Sequence, residues 1–414
     1  MNKLSDMNKQ KSKSVTGLFE KAREVAEHYG FCPLSKILEQ AASNKNNARS
    51  GKKIVLHSPK DNLPGEADRL SITHAYIDHN FASLPQPIMV YHSEPLTQKM
   101  ERDSYGGKNA VQFSLEIMGS DKSVMEATLF KTAIAILREA GFDNFSVMIN
   151  SLGDRDSIGR FTREFTAYYR KHIEEVPAHC RNLLKKDIFK VLECAEEKCM
   201  LVKERAPKPI GALSEDSRLH LGEVLEFLES MNVPYNINHC LVGGKDYYTR
   251  TIFEIRTDGP SPLHPKIKMG MTLARGGRFD DLAKRLGFKK EIPAVGISIS
   301  MGGLGLVLPK KKVEQKKVKK TSVYLIHIGM SAKQQSLSVM EILREAHIPV
   351  YQSLSRDQIS SQVMSAEKMN VPYTIIIGQK EVIDGTVIVR NMLNRSQQTV
   401  LLPLLATHLK KAHC

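Results

Sequence analysis

Eleven residues, Lys310 to Lys320, carry seven lysines and one glutamate directly behind Pro309, with only Val313 and Val318 as apolar side chains among them. Such a segment cannot bury enough apolar surface to offset the cost of ordering it, so the chain on either side must fold as separate units. The length agrees, since 414 residues exceed what one core usually organises and predict two or three domains. The run holds +6 of a formal net charge of +15. Two readings of that charge stand side by side: a solvated, self-repelling linker and a surface that attracts polyanions by counterion release.

Beyond the run, Val323 to Ile328 reads as a buried strand, Ala332 to Ala346 as an amphipathic helix, Val350 to Leu354 as a strand and Gln358 to Met369 as a helix. Strands over Tyr373 to Ile377, Gly385 to Arg390 and Thr399 to Leu402 follow, and a last helix reaches Lys411. Strands alternating with helices imply a small α/β sheet domain over 321–414, with 309–320 as linker and 1–308 as the first unit. In that first unit Glu20 to Tyr29 is a short helix, with Phe19, Ala22, Val25 and Ala26 at helical spacing. Met125 to Glu139 is a second, turning Leu129, Ala133, Ile136 and Leu137 inward and leading into a strand at Val147 to Ile149. From about 161 to 235 the pattern is mostly helical and highly charged.

No apolar run reaches the roughly 18 residues of a membrane span. The stretch Met1 to Ser14 is polar and lysine-rich with no apolar segment behind it, so neither a secretory signal nor a membrane partner is expected and the reading is cytoplasmic. Six cysteines (Cys32, Cys180, Cys194, Cys199, Cys240 and Cys414) show no dense framework, as reduced thiols would. Cys180, Cys194 and Cys199, with His179 and His220 nearby, are candidate ligands of one zinc, which takes four Cys or His donors tetrahedrally. Their spacing is loose and a fourth thiolate is missing, with Ser214 and Ser217 where one is sought. Ordinary thiols are therefore favoured and no metal is expected.

Four spaced motifs carry function. Leu241-Val-Gly-Gly-Lys-Asp-Tyr-Tyr-Thr-Arg-Thr-Ile-Phe-Glu254 is preceded by Ile149-Asn-Ser-Leu-Gly-Asp154 and followed by Ala274-Arg-Gly-Gly-Arg-Phe-Asp-Asp-Leu282 and Pro293-Ala-Val-Gly296. In this order and over nearly the whole chain they resemble the motifs of the histidyl-tRNA synthetase family. The resemblance implies an α+β fold: a class II synthetase antiparallel sheet with flanking helices and a helical insertion, then an α/β domain of anticodon-binding type. It also implies histidine, tRNA and a second copy of the chain, in a homodimer, as partners. The family's first motif has a proline in the strand after its Gly-Phe, whereas here Pro33 comes early and Ile37 or Leu38 stands where it is expected.

The resemblance also assigns the site. Gln112 and Glu116 fall on the glutamine and glutamate that hold histidine, and with Ser114 they share one face of a strand. Tyr247 and Tyr248 fall on two ligand-contacting tyrosines, Phe279 replaces a third, and Gly276 and Gly277 are read as a turn of positive φ beside the site. The arginines that neutralise charge during adenylation are replaced, by Gln98, Gly243 and Gly303. Gly302 stands where the family has glutamate, and the family's Arg-Pro-Glu-Gly-Thr element is not found in Ala67 to Thr73. Losing one preorganised donor typically costs about 2.7 to 4 kcal/mol of transition-state stabilisation, so adenylation is expected to be abolished or severely impaired. Lys99, Arg102 and Lys245 are the nearest substitutes, each more simply read as a surface charge. ATP and Mg²⁺ then enter only with the competing reading, an active histidine-tRNA ligase. The other competitors are a histidine-sensing regulatory paralogue, similar to the regulatory subunit of ATP phosphoribosyltransferase, and a sensor of uncharged tRNA.

Overall fold

The computed structural model describes residues 19–43, 66–95, 111–194, 196–243, 248–259, 268–301 and 322–412. The lysine-rich run falls outside them. Among the described residues one sheet contains β1 (Cys32–Pro33), β2 (Ile88–Pro95), β3 (Val111–Met118), β4 (Phe145–Ser151), β5 (Tyr235–Ile237), β6 (Thr249–Thr257), β7 (Thr272–Arg278) and β8 (Ala294–Ser300), in the order β1-β2-β3-β8-β7-β6-β4-β5. β1 runs parallel to β2 and β5 to β4, while every pairing between them is antiparallel. β3 and β8 alternate: Phe113, Leu115 and Ile117 with Val295, Ile297 and Ile299 enter the core, which leaves their polar residues on the opposite face.

The helix Val124–Glu139 buries nearly its whole circumference, more than the four inward residues read from its periodicity. Two layers cover it. Phe130 packs on Phe253 of β6 with ring centroids 4.5 Å apart, and the stripe His220, Leu221, Val224, Phe227 and Leu228 of helix Glu215–Ser230 lies on its far side. Within the charged stretch 161–235, this second helix and β5 thus join the main body, whereas Ala178–Lys186, Ile188–Glu193 and Glu197–Glu204 form a group of short helical pieces. Helix Arg155–Lys171 leads into that group; Asp154 caps it by accepting from the Ser157 backbone at 2.8 Å. No helix among the described residues is long and apolar enough to cross a membrane.

The second sheet contains β9 (Val323–His327), β10 (Val350–Gln352), β11 (Tyr373–Ile377), β12 (Thr386–Asn391) and β13 (Gln397–Leu401), ordered β10-β9-β11-β12-β13. β9 is parallel to β10 and β11, and β12 is antiparallel to β11 and β13. Beside this second sheet, helix Gln379–Asp384 has no counterpart in the sequence reading. At six residues its periodicity is too short to distinguish from a loop; Glu381 stabilises its start by accepting from the Gly378 backbone at 2.9 Å. Helix Met330–Glu345 docks this sheet onto the first body: His28 bonds the Met340 carbonyl at 3.0 Å, Tyr29 donates to Glu341, and Arg344 reaches Glu139 at 3.0 Å. Burial acts to raise the Glu341 carboxyl, but Arg344, Tyr29 and Lys131 outweigh it and hold it below its usual range. The segment Glu20 to Tyr29, expected as a short helix, is thus engaged at its end with a helix of this chain's own second unit.

One buried ionic network pins the central helix to the sheet. Glu126 is fully buried, and its Oε1 accepts from His220 Nε2, Thr251 Oγ1 and Arg278 Nε, each at 2.8 Å. Its Oε2 accepts from Arg278 at 2.6 Å, and Arg278 also donates to the Ser120 carbonyl at 3.1 Å. Arg250 lies 3.3 Å from His220 Nδ1, on the other side of the imidazole ring from Glu126. Burial works against the Glu126 charge, yet Arg278 and His220 hold its carboxyl far below the ordinary value of 4.5. A carboxyl depressed on folding contributes stability that is complete above its unfolded pKa and is lost as pH falls below it. Glu126→Ala removes the bidentate partner of the buried Arg278 and leaves it only the contact with Asp280 among the described carboxylates, and a loss of about 3 kcal/mol in chemical denaturation at neutral pH is expected. The loss should shrink as the pH is lowered below about 4.5.

Candidate active site

Two rows of side chains define the polar face of the first sheet. Glu116 on β3 pairs with Gly296 on β8, which pairs with Gly277 on β7. Residues directly opposite one another point to one face, and here two of the three have no side chain. A Cβ on Gly296 would fall within the Glu116 carboxylate, and one on Gly277 would lie 2.8 Å from the Tyr248 ring. The bare glycines are thus the floor on which Glu116 and Tyr248 lie. One step along, Ser114 and Ser298 pair and share a 3.0 Å hydrogen bond, flanked by His92 on β2, Arg275 on β7 and Glu254 on β6. Gln112, at the end of β3, opposes Ser300.

Gly276 and Gly277 correct the expectation of a turn. Both lie within β7, and neither has a positive φ. They are needed for close approach instead, because a Cβ on Gly276 would meet the Gly296 carbonyl and the Phe253 ring.

Into this floor projects a residue that the sequence reading passed over. Arg69 belongs to helix Glu66–Asp78, in the stretch examined only for an absent motif. It is fully buried, donates to the Gly296 carbonyl at 3.3 Å, and places its guanidinium 5.5 Å from the centre of the Tyr248 ring and 5.8 Å from that of Phe279. Glu116 is 0% exposed, Phe279 1%, Tyr248 5% and Gln112 6%. The structure therefore gathers Glu116, Tyr248 and Phe279 as the sequence implied, with an arginine among them. The signal was present: Arg69, Ile72, Thr73 and Tyr76 fall at i, i+3, i+4 and i+7, and all four are buried. Arg275 was also passed over; its side chain is 39% exposed and lies 3.1 Å from Glu254.

Tyr247, Gln98 and Gly303 lie outside the described residues, as do Gly302, Lys99, Arg102 and Lys245. Gly243 does not. It has φ +48°, a conformation that favours glycine, and a Cβ there would meet the tip of the Ile252 side chain and come 3.1 Å from the Tyr248 ring, so a longer side chain requires Ile252 to shift. One residue past Phe279, burial pushes the Asp280 carboxyl above its usual value against the pull of Arg278, to which it is bonded at 3.2 Å.

Of the candidate zinc ligands, Cys180 and Cys194 converge with His179, and Cys199 lies 3.1 Å from Cys180, which their loose spacing did not suggest. His220 is engaged elsewhere, in the Glu126 network. Ser214 caps helix Glu215–Ser230 and donates to Asp154 at 2.5 Å.

An antiparallel sheet with a polar floor across its central strands, followed by a small α/β domain, is the architecture of a class II aminoacyl-tRNA synthetase. Residues 3–304 match the family model described as Histidyl-tRNA synthetase, and residues 322–411 match that of an Anticodon binding domain. Among curated relatives, a histidine-tRNA ligase of Halothermothrix orenii is 30% identical over 342 residues, covering 82% of this chain and 80% of the relative. One from Dehalococcoides mccartyi is 28% identical, covering 88% and 83%. The apo histidyl-tRNA synthetase of S. aureus shares the fold, with a TM-score of 0.51 at 22% identity over 96% of this chain and 95% of that one. The chain belongs to the histidyl-tRNA synthetase family.

The glycine floor can be tested apart from any ligand. Gly296→Ala forces the Glu116 carboxylate aside and is expected to cost about 1 to 3 kcal/mol of stability. In a denaturation double-mutant cycle, Glu116→Ala should recover part of that loss, with a coupling of about 0.5 kcal/mol or more; simple additivity would mean that the carboxylate does not lie on Gly296.

Proposed function

We propose that this chain binds tRNA but does not adenylate histidine, and that its own Arg69 holds the amino-acid pocket closed. The observation that carries the reading is the buried Arg69 guanidinium against Tyr248, Phe279 and Gly296. In the family likeness those side chains surround histidine, so the arginine stands where the substrate would be. It also repels the substrate's α-ammonium group. A desolvated cation over aromatic faces is worth about 2 kcal/mol or more, which histidine must first displace. The altered arginine positions act in the same direction: Gln98, Gly243 and Gly303 lack the charge needed at the α-phosphate. Binding of tRNA is supported by the match to an anticodon-binding domain and by the basic charge of the chain.

Histidine-dependent exchange of labelled pyrophosphate into ATP is the direct assay: no exchange is expected beside an active control synthetase. Thermal melting separates the pocket from the chemistry, because a ligand that binds only the folded state raises its stability. Wild type should show no histidine-dependent rise in melting temperature, and Arg69→Thr should show one. A rise of equal size in both would mean that Arg69 does not close the pocket.

One observation favours a second reading, an active histidine-tRNA ligase using ATP and Mg²⁺. Arg275 is partly exposed on the same row as Ser298 and Ser114 and is a cation on the polar face that the motif comparison had not counted. Exchange by wild type that disappears in Arg275→Ala would put this reading first.

A further inference from the structure

We propose that His179, Cys180, Cys194 and Cys199 form a structural zinc site of three thiolates and one imidazole. His179 and Cys180 open helix Ala178–Lys186, Cys194 directly follows the turn Ile188–Glu193, and Cys199 lies in the first turn of helix Glu197–Glu204. Three pieces separated by bends thus aim their donors at one point. Cys180 Sγ lies 3.2 Å from Cys194 Sγ, 3.1 Å from Cys199 Sγ and 3.1 Å from His179 Nε2, and Cys194 Sγ is 3.8 Å from that nitrogen. Zinc with bonds of about 2.3 Å to sulfur and 2.0 to 2.1 Å to nitrogen sets tetrahedral edges of about 3.6 to 3.8 Å. These four separations need to open by up to about 0.6 Å to meet those edges. The donor atoms of His179, Cys180 and Cys194 all lie within 4.8 Å of one another and Cys199 stands outside that group, so Cys199 must also swing toward the other two. A disulfide needs a bond of about 2.05 Å, and three thiols cannot all be paired.

The surroundings suit a metal. Cys180 and Cys199 are buried, Cys194 is half-buried and His179 closes the exposed side. The Glu196 backbone N–H donates to Cys194 Sγ, a contact that favours the thiolate. Lys203 donates to the Leu192 and Cys194 carbonyls at 2.8 and 2.7 Å and sets a positive charge beside a centre whose net charge is −1. Glu196 Oε1 lies 3.6 Å from His179 Nε2, so metal binding by that nitrogen means exchanging this contact for zinc. Pieces of nine, six and eight residues are too short to hold helical form alone, and a metal crosslink joins all three at once. Met200 and Leu201, on the same helix as Cys199, line an open apolar cavity of about 820 Å³ between these pieces and the sheet, so the metal would also fix one wall of that cavity.

The test uses the full chain, purified under reducing conditions with zinc and then freed of loosely held metal by gel filtration. Elemental analysis should find one zinc per chain, and cobalt(II) in its place should give the intense visible bands of a tetrahedral site with thiolate charge transfer. Cys194→Ser should lower the bound metal at least tenfold. His179→Cys should keep one equivalent and shift the cobalt bands to lower energy, which shows that the fold persists and that position 179 supplies a ligand. A wild-type chain with all thiols reduced but no bound metal, a Cys180 disulfide in its place, or full metal content in Cys194→Ser would each overturn the proposal.

Discussion

The bidentate pair between Glu126 and Arg278 is the interaction on which the rest of the first body depends. Arg278 is the last residue of β7, and Phe279 follows it directly. When Glu126 clamps that guanidinium from within the central helix, it fixes where β7 ends and hence where Phe279 enters the polar face. The same carboxylate takes Thr251 of β6 and His220 of the outer helix. Three layers are thereby registered to one buried charge. A fully desolvated pair is a poor source of net stability, and its value here is geometric: each layer has one position in which all of the hydrogen bonds close.

That registration gives the Arg69 contact its significance. The guanidinium lies against two rings and a backbone carbonyl of a floor whose glycines leave no freedom for Glu116 or Tyr248 to move downward. A charge buried among such constraints is held in place by its surroundings. The polar face thus carries positive charge at Arg69 and Arg275.

Much of this architecture was legible because local pattern and burial agree. The strands of the second sheet follow alternating runs of β-branched residues, and their observed limits lie within one or two positions of the reading. Gln112, Ser114 and Glu116 share a face for the simple reason that strands repeat every two residues. What failed was information held between segments. A Gly-Gly pair reads as a turn when the neighbouring strands are unknown, yet Gly276 and Gly277 are required by the carbonyl of Gly296 and by two aromatic rings that arrive from other strands. Arg69 was inspected as part of a missing motif, and the helical stripe that buries it was overlooked. Cys180, Cys194 and His179 are brought together from separate short pieces, a proximity that no fixed spacing announces.

The docking of helix Met330–Glu345 has a mechanical consequence. His28, Tyr29 and Glu139, from two different helices of the first body, grip one face of that single helix through Met340, Glu341 and Arg344. Attachment at points on two supporting helices constrains the rotation of that helix as well as its separation from the first body.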